Sequence, residues 1–508
     1  MQKGWPLWLA GAVGVLVPSA VVAENSVHCF QRDVLGTQAN FMITAPTREI
    51  AQIAVGAALG EIARLDRIFS NYRPDSELRR LNTVRQMRVS PDLFTVLSQA
   101  EELHKRSGGA FNTRMGVVEA LWRGADGGLP DAVALRRALD RAQEVPFLDP
   151  AERLVLRPEG TAFSIDALAK GYIVDRAFDA ARRSAVCDGI MIEIGGDLRC
   201  QGRAGRQYYW NVGLPDVRLP YANAPIVAQI KLKGQAIATS GRGVRDRIIG
   251  GVAYATTLSP QTGMPVTSHL AASVVASTAA EADGLATALL AMRPEQGLLL
   301  AEQSDAQARI TQANGAVLTT ADWRLLEVGP SPRPLHRTAG LVNVARNENP
   351  AVRPSGWVTD WALQIYYEAL IDLNSRPSDY RSPYLAMWIS DKAGHPIRTL
   401  LVIGKDPEYQ KDNHIWWSLY GSRAQKIMEV RSGPTSLSGR YPTFWPGIDD
   451  SYASVGPGDY LLNIETSRER GEHTFRSVPV TIGRKAFEFD VKPTADMGAI
   501  RLAFGKQP

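Results

Sequence analysis

At 508 residues, with 45% hydrophobic and 21% charged side chains, the chain has an ordinary globular composition and is too long for one core, so two or more domains are expected. Its net charge of +5 comes from 57 basic and 52 acidic residues that are interspersed, with no Lys/Arg block and no basic amphipathic helix. That distribution argues against a nucleic-acid-binding surface.

In chain order, the first element is an export signal. In MQKGWPLWLAGAVGVLVPSAVVAEN, Lys3 precedes an apolar stretch from about Trp5 to Val17, and small residues end at Val21-Val22-Ala23. The pattern reads as a signal peptide over residues 1–23, cleaved after Ala23. The apolar stretch is shorter than the roughly 20 residues that span a bilayer. No Cys follows the cut to carry a lipid, so the mature chain is expected to be periplasmic or otherwise exported, soluble and without a transmembrane anchor. Cys29, Cys187 and Cys200 permit at most one internal disulfide and leave a thiol over. No His stands near them at zinc spacing, and the seven His residues are scattered singly, so zinc chemistry is not expected.

AQIAVGAALGEIARLDRIF and PDLFTVLSQAEELHKRSG have helical spacing, whereas IMIEIGGDLRCQG and PIVAQIKLKGQAIATSG read as strands running into glycine turns. The mixture predicts an α+β first domain over residues 24–328. Residues 329–356 are rich in Pro, Arg, Asn and Gly without periodicity and read as an interdomain linker. Beyond them the patterns are nearly all strand: WALQIYYEAL, YLAMWISDKAGHPIRTLLVIG with a break at DKAGHP, DYLLNIETSRERGEHTFRSVPVTIG and KAFEFDVK. They predict an all-β, immunoglobulin-like sandwich over residues 357–508. Trp416 and Trp417, beside His414, are expected to pack in its core rather than to stack a ligand.

Chemistry is expected in the first domain. GTQAN, IGGDLRCQG and TSGRG place Gly where the backbone must turn or approach another group closely, but none is a Walker loop or a GxGxxG fingerprint. In EADGLATALL, Asp283 and Thr287 lie on one face of an otherwise apolar helix. Taken alone, the pair fits either local capping and back-bonding or an oxygen-rich ion site.

In order along the chain, FSNYRPDSELRRLN, SGGAFNTRMGVVEALW, IDALAKGYIVD, IEIGGDLRCQG, WNVGLPD, AIATSG, LSPQTGMPV and EADGLATALL resemble the FAD:protein FMN transferase family over roughly residues 30–328. The resemblance implies an α+β flavin-transferase domain and a magnesium ion held by Asp283, Thr287 and the carbonyl of Ala167. It places Leu35, Tyr72, Asn112, Thr113, Ser164, Lys170 and Thr257 against FAD. The implied reaction cleaves the FAD pyrophosphate, moves the FMN phosphoryl group to a Thr or Ser hydroxyl of an acceptor protein and releases AMP. The acceptor is expected to be a separate exported or membrane redox protein, because the D-x-x-A-T run from Asp283 to Thr287 is already taken by the metal helix. The C-terminal strands resemble a domain of unknown function that accompanies such transferases, with partner docking or shielding of the flavin pocket as its expected role.

Several positions depart from the family pattern. Ser164 and Asn112 stand where Asp is usual, and the family's HxxDP becomes Thr256-Thr257-Leu258-Ser259-Pro260, with Thr in place of His and Ser in place of Asp. A neutral Thr is not an efficient general base near pH 7, so no catalytic acid or base is assigned. Three readings follow: a magnesium-dependent flavin transferase, a noncatalytic FAD-binding or partner-docking protein, and a magnesium-dependent FAD pyrophosphatase.

Overall fold

The computed structural model describes residues 25–125, 128–219, 221–243, 246–249, 252–328, 357–358, 361–368, 384–403, 410–420, 440–451, 453–467, 473–493 and 497–506. The signal peptide expected at 1–23 and the linker expected at 329–356 lie outside the described residues. No helix among the described residues is long and apolar enough to cross a membrane. Cys29, Cys187 and Cys200 are not disulfide-bonded, so the one disulfide that the count permits is not formed.

The first unit is built on an eight-stranded sheet of β1 (Ser26–Val34), β2 (Thr37–Ala45), β3 (Gly189–Ile194), β4 (Asp197–Gly202), β5 (Ala236–Gly241), β6 (His269–Ala276), β7 (Gln307–Gln312) and β8 (Val317–Thr319). The strands pair in that order, each antiparallel to the last. Four helices cover one face: α1 (Arg48–Phe69), α2 (Pro91–Arg106), α3 (Asp166–Ser184) and α4 (Ala279–Ala291). Side chains alternate across a strand, so Ile192, Ile194, Ala238 and Val274 meet Ile62, Leu65, Val174 and Leu285 on the helical side. Met191, Leu198, Ile237 and Val275 point the other way, under a hairpin formed by Trp210–Pro215 and Ile226–Leu232. Both faces are covered, which is why Ile190 to Ile194 and His269 to Ala276 are buried along their whole length.

Helix starts are locally encoded. Thr47, Ser90 and Thr278 cap α1, α2 and α4, each side chain accepting from the amide three residues on. The same alternation that builds the core places Asp197, Arg199 and Ser240 on the helical face, within reach of α3 and α4.

The second unit contains β9 (Trp361–Glu368), β10 (Tyr384–Asp391), β11 (Pro396–Ile403), α5 (His414–Tyr420), β12 (Arg440–Trp445), β13 (Gly458–Ser467), β14 (His473–Ile482), β15 (Phe487–Val491) and β16 (Ala499–Lys506). Two four-stranded sheets, ordered β12-β9-β16-β15 and β11-β10-β13-β14, are antiparallel throughout. Leu363, Ile365, Leu502 and Phe504 of one share a core with Leu385, Met387, Leu462 and Ile464 of the other. The expectation of strands alone is corrected by α5, whose Trp416 and Tyr420 are one helical turn apart and bury against Ala386 and Trp388. Trp416 is 1% exposed, so it packs as core, as expected.

The two units touch through the loop of the Trp210–Leu232 hairpin. The Tyr221 ring lies 4.8 Å from that of Phe444, and its hydroxyl donates to Gln364 Oε1 at 3.1 Å. Asn223 and Phe444 exchange hydrogen bonds of 2.8 and 3.0 Å, and the Ala222 amide donates to the Pro442 carbonyl at 2.7 Å. Because β12 is an edge strand, these bonds satisfy the backbone groups that its sheet leaves open.

Candidate active site

Helices α3 and α4 cross closely, and the AKGYxxD residues are what permits it. A Cβ at Gly171 would overlap the Ala279 carbonyl and crowd Ala280, so only Gly lets the start of α4 approach α3. One turn on, Asp175 Oδ1 and Oδ2 accept from the Ala279 and Ala280 amides at 2.9 Å each, satisfying two first-turn N–H groups of α4. Arg199 of β4 braces this carboxylate at 3.0 Å. Burial nevertheless pushes the Asp175 pKa above the usual carboxylate range. Lys170, beside Gly171, reaches Asp197 Oδ2 at 3.0 Å.

Asp197 is delivered by the GGD turn. Gly195 and Gly196 have φ of 55° and 97°, conformations that suit Gly, and they start β4 with Asp197 facing the helices. Asp197 and Asp283 are 1% and 3% exposed and close enough for each charge to act on the other. Burial, then the like charge of Asp197, pushes the Asp283 pKa well up, against the pull of Lys170. Burial raises Asp197 too, offset by Lys170. Two buried carboxylates sharing one ammonium carry surplus negative charge, an arrangement that a divalent cation neutralises.

The other predicted metal ligands lie around this pair. Asp283 Oδ2 accepts from the Gly171 amide at 3.1 Å. Helix geometry points that same N–H at the Ala167 carbonyl, so Ala167 and Asp283 converge on one edge of α3. Thr287, one turn along α4 from Asp283, is 3.0 Å from Ser240 Oγ of the TSG strand. Asp197 and Ser240 are additions that helix spacing could not reveal, since each comes from a distant strand. Their only signal in the sequence is membership of the GGD and TSG runs.

The predicted FAD contacts fall into three sets. Tyr72 is 82% exposed on a loop that Asn71 ties to Asp166, the first residue of α3, at 3.2 Å. Thr113 and Ser164 are adjacent, the Ser164 amide donating to the Thr113 carbonyl at 2.7 Å. The Thr113 hydroxyl is buried without a hydrogen-bond partner, while Ser164 Oγ donates to Glu119 at 2.8 Å. Asn112 is spent on structure: it donates to the Ala142 carbonyl at 3.0 Å and accepts from the Arg114 amide at 2.9 Å. Leu35 and Gly36, with φ of 51° and 71°, form the two-residue turn of the β1–β2 hairpin. That hairpin is tied to the GGD turn where the Gly195 amide donates to the Gln38 carbonyl at 3.0 Å.

Thr257 belongs to the PxTGxP loop, its carbonyl accepting from the Val266 amide at 3.0 Å. Gly263, at φ 67°, closes that loop, and its carbonyl accepts from Trp122 Nε1 at 2.7 Å. Thr256 is exposed, and Ser259 Oγ donates to Gln261 at 2.9 Å. The arrangement thus joins Ala167, Lys170, Asp283 and Thr287 into one cluster near the start of α3, with Tyr72, Thr113 and Ser164 linked to the same helix end. Asn112, Leu35 and Thr257 have defined structural roles at its surroundings.

Comparison with known proteins agrees with this architecture. Residues 35–310 match the model of the ApbE family, and residues 369–499 match one described as "Predicted periplasmic protein (DUF2271)". A protein of Klebsiella pneumoniae named FAD:protein FMN transferase is 27% identical over 314 residues, covering 60% of this chain and 95% of its own length. One of the same name from Vibrio cholerae is 30% identical over 247 residues, covering 46% and 71%. The crystal structure of the ApbE protein of Thermotoga maritima superposes with a TM-score of 0.54 at 24% identity, over 60% of this chain and all of its own. The flavin transferase ApbE of Vibrio cholerae gives 0.52 at 23%, over 59% and 99%. With its α3–α4 crossing, its GGD turn and a family match running from residue 35 to residue 310, the chain belongs to the ApbE family of flavin transferases.

Proposed function

We propose that the chain is a magnesium-dependent FAD:protein FMN transferase that modifies a Thr or Ser hydroxyl of an exported or membrane redox protein and releases AMP. The observation that carries this reading is the buried pair Asp197 and Asp283, balanced by Lys170 and flanked by the hydroxyls of Thr287 and Ser240. Asp283, Thr287 and the Ala167 carbonyl are the hard oxygen donors that suit magnesium, which keeps its remaining positions for water and phosphate oxygens. Bound there, the ion would supply charge neutralisation for the FAD pyrophosphate.

The chain's own residues would do the positioning. Helix α3 starts without a side-chain cap at Ile165, so its first amides and its dipole favour a phosphate there. Lys170, one turn into the helix, adds a positive charge. Tyr72 offers an exposed ring on the adjoining loop for the flavin, and Thr113 an unspent hydroxyl. In the transfer, the acceptor oxygen bonds to the FMN phosphorus as the P–O bond to the AMP phosphate breaks, and the hydroxyl proton passes to solvent. Such phosphoryl transfer depends on placement and charge neutralisation more than on covalent chemistry, so loss of a base at Thr256 weakens it without removing its main support.

A second reading, an FAD-binding protein without transfer, is favoured by Thr256 and by Ser259, whose hydroxyl is engaged by Gln261. A third, hydrolysis of FAD to FMN and AMP, differs only in the acceptor. The test is the purified chain with FAD, magnesium and candidate acceptors, read by acceptor mass and released AMP, with Asp283→Ala as control. A mass gain equal to FMN that vanishes with chelator and in the control supports transfer. AMP with free FMN identifies a hydrolase, and FAD binding without AMP across several acceptors identifies a binder.

The same reading takes residues 24–328 as the transferase domain, 329–356 as a linker and 357–508 as an immunoglobulin-like sandwich that docks a partner or shields the flavin; the two antiparallel four-stranded sheets with a shared core support the last. Export through the signal at 1–23 fits the match to a family described as periplasmic.

A further inference from the structure

Glu465 is a carboxylate with no exposed side-chain surface in the second unit, outside the flavin-transferase motifs. It lies on β13 opposite Phe475 of β14, so His473, two residues before Phe475, shares its face of the sheet. His473 Nε2 is 2.6 Å from Glu465 Oε1. Across them, the first residue of α5, His414, brings its ring to a centroid distance of 4.1 Å from that of His473. The ligand atoms of the three residues lie within 4.8 Å of one another.

We propose that His414, Glu465 and His473 form a binding site for a divalent first-row transition metal, of which zinc is the probe. Two imidazoles and one carboxylate are a donor set that suits such ions and leaves a further position for water or an external ligand. Metal–ligand bonds of about 2.0–2.1 Å put neighbouring donors about 3.3 Å apart in a tetrahedral shell. Glu465 and His473 are already inside that spacing, and a rotation of the exposed His414 ring closes the set.

The scaffold behind the donors is built and rigid. Glu465 Oε1 and Oε2 accept from the Ile415 and Trp416 amides at 2.9 and 2.7 Å, the kind of outer hydrogen bonding that orients a ligating carboxylate. Asn413, 1% exposed, is fixed by Ser467 Oγ at 2.8 Å, and Trp416 Nε1 reaches Thr399 at 3.2 Å. Helix α5 is therefore held against the sheet through Asn413 and Trp416 as well as through Glu465, while both imidazoles stay open to solvent. An ion pair between Glu465 and His473 would explain one of these contacts but gives no reason for a second imidazole tilted against the first at 4.1 Å.

The experiment titrates zinc into the full mature chain, prepared without a polyhistidine tag and in excess magnesium to occupy the oxygen site. Calorimetry and bound-metal analysis are expected to give one zinc per chain. Removing groups that merely support a metal ligand costs about 10–100-fold in affinity, so His414→Ala and His473→Ala are each expected to lose at least about 100-fold. X-ray absorption should report two imidazoles in the zinc shell. Both histidines are exposed, and unchanged circular dichroism and FAD binding would verify that the variants fold. The proposal is overturned if the wild-type chain takes up no zinc, or if uptake is unchanged in the His414→Ala/His473→Ala double variant.

Discussion

Asp197 and Asp283 come from a strand start and a helix middle, yet they share one buried space with Lys170. If a cation offsets their charge, Asp197→Asn should weaken manganese or magnesium binding by about 10–100-fold, measured by manganese titration under electron paramagnetic resonance, with FAD-independent folding retained. Unchanged metal affinity would assign Asp197 to Lys170 alone. Metal binding competes with protons for raised carboxylates, so affinity should fall as pH drops. At this scale the sequence was partly readable. Asp283 and Thr287 are four residues apart on one helix, so their common face follows from helical geometry. Asp197 and Ser240 reach them only through sheet order, and His414, Glu465 and His473 through two sheet strands and a helix. Single scattered histidines therefore gave no zinc signal, although two of them meet in space.

Helix α4 shows how an element can be placed by its neighbours. It is buried almost all round, and its start is held by Asp175 and by the space that Gly171 leaves. Gly171→Ala forces a methyl against backbone that has no rotamer to yield, so a loss of about 1–3 kcal/mol is expected, read as a lower denaturation midpoint. Equal stability would mean that α3 and α4 can separate at no cost. On the outer side, Glu61 of α1 accepts from Arg64 at 2.8 Å and lies 3.3 Å from Arg176 of α3. Hydrogen bonding from Arg64 holds the Glu61 pKa below its usual value. A depressed folded-state value gives stability that is present above the unfolded pKa and lost as pH falls through the folded one. Thermal melts of Glu61→Gln should thus lose part of the decline seen below the ordinary carboxylate range. Helices α1 and α2, strands β3 to β5 and most strands of the second unit were legible because their periods are clean. Helix α5 was not, because HIWWSLY is short, aromatic and set among strands, and only burial of Trp416 and Tyr420 on one side decides its form.

Across the molecule, the two units meet where a hairpin loop of the first lies along the open edge of β12, joined by the Asn223–Phe444 exchange, the Ala222–Pro442 bond and the Tyr221–Phe444 rings. Gln38, on the β1–β2 hairpin, adds a 3.0 Å bond to the Tyr441 hydroxyl. Composition and the linker pattern showed that two units exist, but this contact joins residues between 143 and 403 positions apart and carries no local signature. Since the pairing is made by side chains and backbone on both sides, the units are expected to stay together without covalent continuity. A protease site inserted between residues 329 and 356 should yield two fragments that still elute as one particle, and Asn223→Ala with Tyr221→Ala should let them part. The second unit would then behave as a subunit that happens to be encoded in the same chain.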